Sequence, residues 1–156
     1  TIWYLSILLV LFFMPRSGYR LVHFLVSGLF TFLLIKNEFP KMYIPKNNQI
    51  LGWLVFIVVI IFGSWIPDID ILLFGIGGHR SPLTHSALPF IFFAFIIENY
   101  DYGVKEWNVS LLKIFAYSLA FHLFLDILQG GHVRYVPFDN LFLLVNGFLC
   151  IILSKI

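Results

Sequence analysis

The sequence predicts an all-α membrane protein, a polytopic bundle of five or six transmembrane helices with a polar, metal-binding cluster at one membrane face. Residues 1–156 read as one integral-membrane domain. Three observations point there. Sixty per cent of the residues are hydrophobic and only 12% are charged, with a mean hydropathy of +0.94; soluble domains carry about 25% charged residues. Apolar runs recur along the whole chain between short polar connections. When the spans are counted, every histidine falls on one side of the membrane. The composition excludes a disordered segment, which needs low hydrophobicity and high charge, and leaves too few polar side chains to cover a soluble globule. A net charge of +2 without a dense Lys/Arg cluster argues against a nucleic-acid partner. One cysteine, Cys150, excludes an internal disulfide and a thiolate zinc cluster.

A helix rises 1.5 Å per residue, so crossing roughly 30 Å of hydrocarbon takes about 20 apolar residues. The clearest span is Ile50–Pro67, uncharged until Asp68. Leu21–Ile35, Ser86–Ile97, Leu111–Leu128 and Leu141–Leu153 are shorter or carry polar residues. Ile2–Met14 lacks the basic flank and small-residue cleavage site of a signal peptide. Because the sequence begins at Thr1 rather than Met, we read this stretch as the end of a first span. Six spans result, or five without it. Pro40, Pro45 and Asn47–Asn48 mark Lys36–Gln49 as a loop.

Walking the spans places Pro15–Arg20, Asp68–His85 and Gly130–Asn140 on one face. Lys36–Gln49 and Asn99–Ser110 lie on the other. His23, His79, His85, His122 and His132 then gather on the first face with Asp68, Asp70, Asp126 and Arg80. Single interfacial histidines can sit wet among headgroups. Nine ionisable groups on one side are harder to dismiss, since a charge at mid-bilayer costs about 2.5–3.5 kcal/mol. Ser118, His122 and Asp126 follow at i, i+4, i+8, as do His23, Ser27 and Thr31, giving each helix one polar stripe. For Ser27, Thr31 and Ser118 the expectation is interhelical hydrogen bonding. For His122 and Asp126 it is a metal ion.

Three local patterns carry the chemistry. In Trp65-Ile66-Pro67-Asp68-Ile69-Asp70, Pro67 favours exit from the helix, and two aspartates two apart in an extended segment would point the same way. Close carboxylates need a cation to remain ionised together. One aspartate alone would be an ordinary cap or solvated turn. In Gly78-His79-Arg80-Ser81-Pro82-Leu83-Thr84-His85-Ser86, Ser81 reads as an N-cap with Pro82 at the first helical position. That puts His85 in the first turn beside Arg80. Pro89 cannot donate to the carbonyl of His85, so local irregularity is expected. In His122-Leu123-Phe124-Leu125-Asp126, imidazole and carboxylate lie one turn apart, as in zinc sites, with Gly130-Gly131 ending the helix before His132. Such ligands without thiolates suit zinc, and also manganese or iron. A bound divalent ion lowers the pKa of water towards 7. Arg80 would hold an anionic oxygen, so the fitting reaction is metal-assisted hydrolysis of a phosphoester.

The order His23, Ile66-Pro67-Asp68-Ile69-Asp70, His79-Arg80, Thr84-His85-Ser86, His122-x-x-x-Asp126 and Val136-Pro137-Phe138 resembles the bacterial YdjM-like membrane-bound metal-dependent hydrolases, the LexA-regulated inner-membrane type. The likeness runs from about His23 to Phe138. It implies a multi-pass protein of the cell inner membrane, distantly similar to the all-helical zinc-dependent phospholipase C. His23, Asp68, His85, His122 and Asp126 would be metal ligands. Asp70 and Arg80 would be catalytic, with Arg80 on the substrate, and His79 and His132 additional ligands. The chain departs from many relatives by one extra residue within Ser81-Pro82-Leu83, by Gln129 where threonine is common, and by His132.

The resemblance and the residues together predict a divalent metal, zinc foremost, and membrane lipids and a small anionic or lipid phosphoester as partners. The alternative is a metal-ion or proton transporter, which would need polar residues continuing to the opposite face. A structural protein binding through its aromatic surface would leave the His/Asp cluster unexplained. Arg16, Arg20, Arg80 and Arg134 lie on the cluster's face. Lys36, Lys41, Lys46, Lys105, Lys113 and Lys155 lie opposite. The positive-inside rule therefore tilts the cluster outward.

Overall fold

The computed structural model describes residues 20–35, 49–75, 80–99, 105–128, 130 and 132–155. Among the described residues the regular structure is entirely helical. Helix α1 is Arg20–Ile35 and α2 is Gln49–Trp65. A 3-10 turn, Ile66–Asp68, leads into the short α3, Ile69–Phe74. Then follow α4, Leu88–Asn99, α5, Lys105–Leu128, and α6, Asp139–Leu153. Five of the apolar runs expected to span are thus helical over most of their length. The first, Ile2–Met14, lies outside the described residues, as does nearly all of the loop Lys36–Gln49.

Two helical segments are long and apolar enough to cross a membrane: Gln49–Phe74, 26 residues including the 3-10 turn, and Lys105–Leu128, 24 residues. At 1.5 Å per residue each reaches beyond roughly 30 Å. Helices α4 and α6 are shorter and also apolar.

Helix α5 is the central post. It packs against α1, α2, α4 and α6, and Ile114, Phe115, Leu119 and Leu123 on it are fully buried with Phe56 and Leu143 of its neighbours. Aromatic pairs join the elements: Phe56 stacks on Trp107 with centroids 5.0 Å apart, and Phe93 on Phe115 at 4.4 Å. Where apolar side chains meet lipid as readily as each other, close backbone approach is what holds helices together. Gly63 provides it between α2 and α5, since a Cβ there would stand 2.8 Å from Ser118 Cβ and 3.1 Å from the Phe115 carbonyl oxygen. Gly147 of α6 lies against the Phe124 ring in the same way. The outward faces stay apolar: Leu54, Val58 and Ile61 on α2 and Phe148 and Ile152 on α6 are exposed.

For Thr31 and Ser118 the polar stripes differ from expectation. Ser27, Thr31 and Ser118 are buried, but Thr31 Oγ1 donates to the Ser27 carbonyl and Ser118 Oγ to the Ile114 carbonyl, both at 2.8 Å. These bonds lie within a helix rather than between helices. A hydroxyl reaches the carbonyl four residues back without ordering a second element.

Candidate metal centre

Pro67 sets the local geometry. It does not end the helix in an extended segment, as the sequence suggested. It occupies the start of a one-turn 3-10 helix, and the chain continues into α3. The two aspartates therefore do not point together. Residues two apart on a helix diverge by about 200°. Asp68 turns to α5, with Oδ1 3.7 Å from His122 Nε2. Asp70 is fully buried on another side, where Oδ2 accepts from the Ser81 N–H at 2.8 Å and from Thr84 Oγ1 at 2.9 Å.

His85 also differs in its setting. Helix α4 begins at Leu88, three residues after it, so His85 stands in a loop and not in a first helical turn. The Ser81 carbonyl closes one turn, accepting from Thr84 N–H at 3.2 Å and His85 N–H at 2.9 Å. That turn cannot extend into α4, because Pro89 has no N–H for the carbonyl of His85 and its ring would crowd it. Asn146 of α6 secures the loop, its Oδ1 accepting from the Ala87 N–H at 3.0 Å.

His122 and Asp126 occupy one face of α5 as their spacing predicts, and both are buried. Around them the site assembles. Asp126 Oδ2 lies 3.4 Å from His85 Nε2 and 3.5 Å from His122 Nε2. Asp126 Oδ1 accepts from the Arg80 guanidinium at 3.0 Å. Ligand atoms of Asp68, His85 and His122 all fall within 4.8 Å of one another. Four predicted ligands from three separate segments thus converge.

The imidazole tautomers follow from their outer partners. His122 Nδ1 is 2.7 Å from the Ser64 carbonyl oxygen. A carbonyl only accepts, so Nδ1 carries the proton and Nε2 presents its lone pair. Pro67 helps to make that carbonyl available: in the 3-10 register its missing N–H would have been the donor to Ser64. His85 Nδ1 lies 3.1 Å from Thr84 Oγ1, which itself donates to Asp70. The chain His85 Nδ1–H to Thr84 to Asp70 again leaves Nε2 as the acceptor. With both rings neutral, two imidazole lone pairs and a carboxylate oxygen face one another in a buried space, an arrangement that a metal ion or a proton would relieve. Ions bound at about 2.0–2.1 Å hold neighbouring ligand atoms about 3.3 Å apart in a tetrahedron. Three of the separations, 3.4, 3.5 and 3.7 Å, are close to that edge, and the ligand atoms of Asp68, His85 and His122 lie within the wider limit of 4.8 Å. The residues present therefore fit a metal ion, with imidazole and carboxylate donors and an outer partner behind each ring.

The other expected residues fall differently. Arg80 is at the site, but as a partner of Asp126. Its backbone adopts the left-handed region, φ 62°, and its carbonyl accepts from the Arg134 N–H at 3.0 Å, tying the loop after α5 to the site. Asp70, expected as catalytic, supports His85 from behind through Thr84. His132, expected as an additional ligand, is exposed at 93% and donates through Nδ1 to Asp139 at 2.7 Å. α5 ends at Leu128, Gly130 takes a positive φ of 68°, and His132 pairs with Asp139 at the start of α6 instead of with the cluster. That hydrogen bond holds the Asp139 carboxyl below its ordinary range. The His23 backbone belongs to α1, but its side chain, like all of His79, lies outside the described residues. Sequence reasoning gave no role to the Ser64 carbonyl, Thr84, Asn146 or Asp139. A lone Asn146 in an apolar span was the one visible signal among them.

Comparison with known proteins gives no matching family model, curated protein or solved structure.

Proposed function

We propose that this chain is a multi-pass inner-membrane hydrolase that uses a divalent metal ion, zinc foremost, to cleave a phosphoester, with a lipid headgroup among the candidate substrates. The observation that carries this reading is the convergence of His85 Nε2 and His122 Nε2 on Asp126 Oδ2 at 3.4 and 3.5 Å, with Thr84 Oγ1 and the Ser64 carbonyl behind the two Nδ1 atoms. Asp68, His85, His122 and Asp126 would hold the ion, which when bound supplies Lewis acidity and lowers the pKa of water.

The rest is work for side chains. Ser64 and the Thr84–Asp70 pair keep the two imidazoles aimed inward. Arg80, beside Asp126 and partly exposed, offers the guanidinium that a phosphoester oxygen requires as negative charge builds on it. In the reaction a P–O bond forms from water and the P–O bond to the leaving group breaks, while a proton from water goes to the departing oxygen. The exposed apolar faces of α2 and α6 support a membrane location, because soluble monomers rarely leave such surfaces bare.

A transporter reading is weaker. Along α5 the hydroxyls of Ser118 and Ser110 are directed to their own helix carbonyls, at 2.8 and 2.9 Å. Leu111, Ile114, Phe115 and Leu119 fill the core beside them. That lining offers no succession of ligands away from the cluster.

The test is metal analysis of detergent-purified protein beside His85→Ala and Asp126→Ala. A panel of phosphomonoesters, phosphodiesters and phospholipids follows, with and without chelator. Metal content should fall in both variants, and hydrolysis should stop with chelator. Equal metal content in all three proteins would defeat the assignment.

A further inference from the structure

The segments that build the metal centre also carry some of the most exposed large apolar side chains in the molecule. On α3, Leu72, Leu73 and Phe74 are 74%, 62% and 68% exposed; Leu83 is 67%, Tyr135 85% and Phe138 80% exposed. Leu72, Leu73 and Phe74 close the long apolar segment Gln49–Phe74, whereas Leu83, Tyr135 and Phe138 lie outside both long helices. Leu72–Phe74 follow Asp70 within one turn of α3. Leu83 sits between Ser81, whose N–H bonds Asp70, and His85. Tyr135 and Phe138 belong to the loop whose Arg134 N–H bonds the Arg80 carbonyl at 3.0 Å.

Charge accompanies this apolar rim. Arg134 is exposed, with its guanidinium carbon 5.0 Å from the centre of the Tyr135 ring. Arg80 lies one backbone hydrogen bond away. Tyr135 and Phe138 present their side chains on left-handed backbone, φ 63° and 61°, which residues of this size rarely adopt. Leucine and phenylalanine at the acyl boundary, tyrosine at headgroup height and arginine among phosphates make the pattern of a lipid interface.

We infer that this rim is a lipid-docking surface, and that the phosphoester reaching the metal centre belongs to an anionic phospholipid of the surrounding bilayer. The second half rests on the hydrolase reading; the first rests only on the membrane location proposed above. A lipid held by its acyl chains against Leu73, Phe74 and Leu83 would bring its phosphate towards Arg134 and Arg80. A soluble phosphoester would have no use for the apolar rim.

The experiment uses the full chain in nanodiscs of equal parts phosphatidylglycerol and phosphatidylcholine. In a Cys150→Ala background, Tyr135→Cys and Phe138→Cys are each labelled with an environment-sensitive fluorophore. Quenching is measured with lipids spin-labelled high on the acyl chain and with aqueous iodide. Strong quenching by lipid and at least threefold protection from iodide, relative to the free label, is expected. Iodide quenching equal to that of the free label overturns docking, and protection from both quenchers overturns it in favour of a protein interface.

In the second arm, Leu83→Ser/Phe138→Ser is compared with the parent protein on phosphatidylglycerol in nanodiscs and on bis-p-nitrophenyl phosphate in solution. The ratio of lipid to soluble turnover should fall at least tenfold. An unchanged ratio overturns the lipid assignment while leaving the hydrolase standing. No turnover of either substrate by the parent protein defeats the hydrolase reading and the lipid-substrate claim with it, and the quenching result still decides the docking surface.

Discussion

Replacing Gly63 with alanine would place a carbon 2.8 Å from Ser118 Cβ and 3.1 Å from the Phe115 carbonyl oxygen. Carbon atoms in ordinary contact sit about 3.5–4.0 Å apart. Helix α2 would have to retreat from α5 by roughly 1 Å, because the obstacle includes backbone and cannot swing aside. Overpacking of this kind costs about 1–3 kcal/mol. The retreat also reaches the metal centre. Ser64 is the next residue, and its carbonyl accepts from His122 Nδ1 at 2.7 Å. An added 1 Å takes that distance to about 3.7 Å, outside hydrogen-bonding range, and releases the imidazole to rotate. Loss of an outer partner to a ligating histidine lowers metal affinity by about 10–100-fold. The assay is competition for zinc between the detergent-purified protein and a chromophoric chelator, with thermal unfolding of the same samples. Adding Ser118→Gly to Gly63→Ala removes the closest contact and should recover part of both losses. Ser118→Ala keeps its Cβ and should recover neither. Wild-type zinc affinity in a destabilised Gly63→Ala protein would refute the link between helix approach and ligand orientation, and so would equal rescue by the two Ser118 variants.

Three further outcomes follow from the site. Arg80→Ala leaves the buried Asp126 carboxylate without its charge-assisted hydrogen bond and should destabilise the protein by about 1.5–3 kcal/mol; Arg80→Lys should recover only part, and an unaltered denaturation midpoint would count against the ion pair. Metal removal by chelator should lower thermal stability in the parent protein but not in His85→Ala, by about 2.7 kcal/mol if free metal had stood at a hundred times its dissociation constant; equal shifts in both would show that the chelator acts elsewhere. At the surface, Asp139 has its carboxyl below the ordinary value of 3.8 chiefly through the His132 hydrogen bond. A lowered carboxylate pKa stabilises above the ordinary value, and this contribution is lost as pH falls through the lowered one. His132→Ala should return Asp139 towards 3.8 in a carboxyl-carbon NMR titration, and an unmoved midpoint would remove His132 as the cause.

Composition and apolar run lengths made the helical class legible, and they located the helices closely. α2 falls where Ile50–Pro67 was expected, and α5 ends at Leu128 as expected but begins at Lys105, within the stretch Asn99–Ser110 read as a connection. The pairing of His122 with Asp126 was legible too, since i, i+4 spacing on a helix places both on one face whatever surrounds them. The convergence of Asp68 and His85 on that pair could be anticipated only as a shared membrane side. A count of spans orders residues along the membrane normal but says nothing of which meet across it.

The rest depended on contacts between segments distant in sequence. Whether Pro67 ends a helix or tightens it into a 3-10 turn depends on what donates to the carbonyls it leaves without a partner, and His122 of α5 donates to one, that of Ser64. The aspartates Asp68 and Asp70 part company for the same reason, one meeting α5 and the other the Ser81–Thr84 turn. His132 is close to Asp126 in sequence yet exposed, paired with Asp139 at the start of α6. Local periodicity therefore determined the helices and the i, i+4 ligand pair. The tertiary structure alone decided which ring nitrogens face inward, because a tautomer is set by its outer hydrogen-bond partner, and the Ser64 carbonyl that sets His122 comes from 58 residues away.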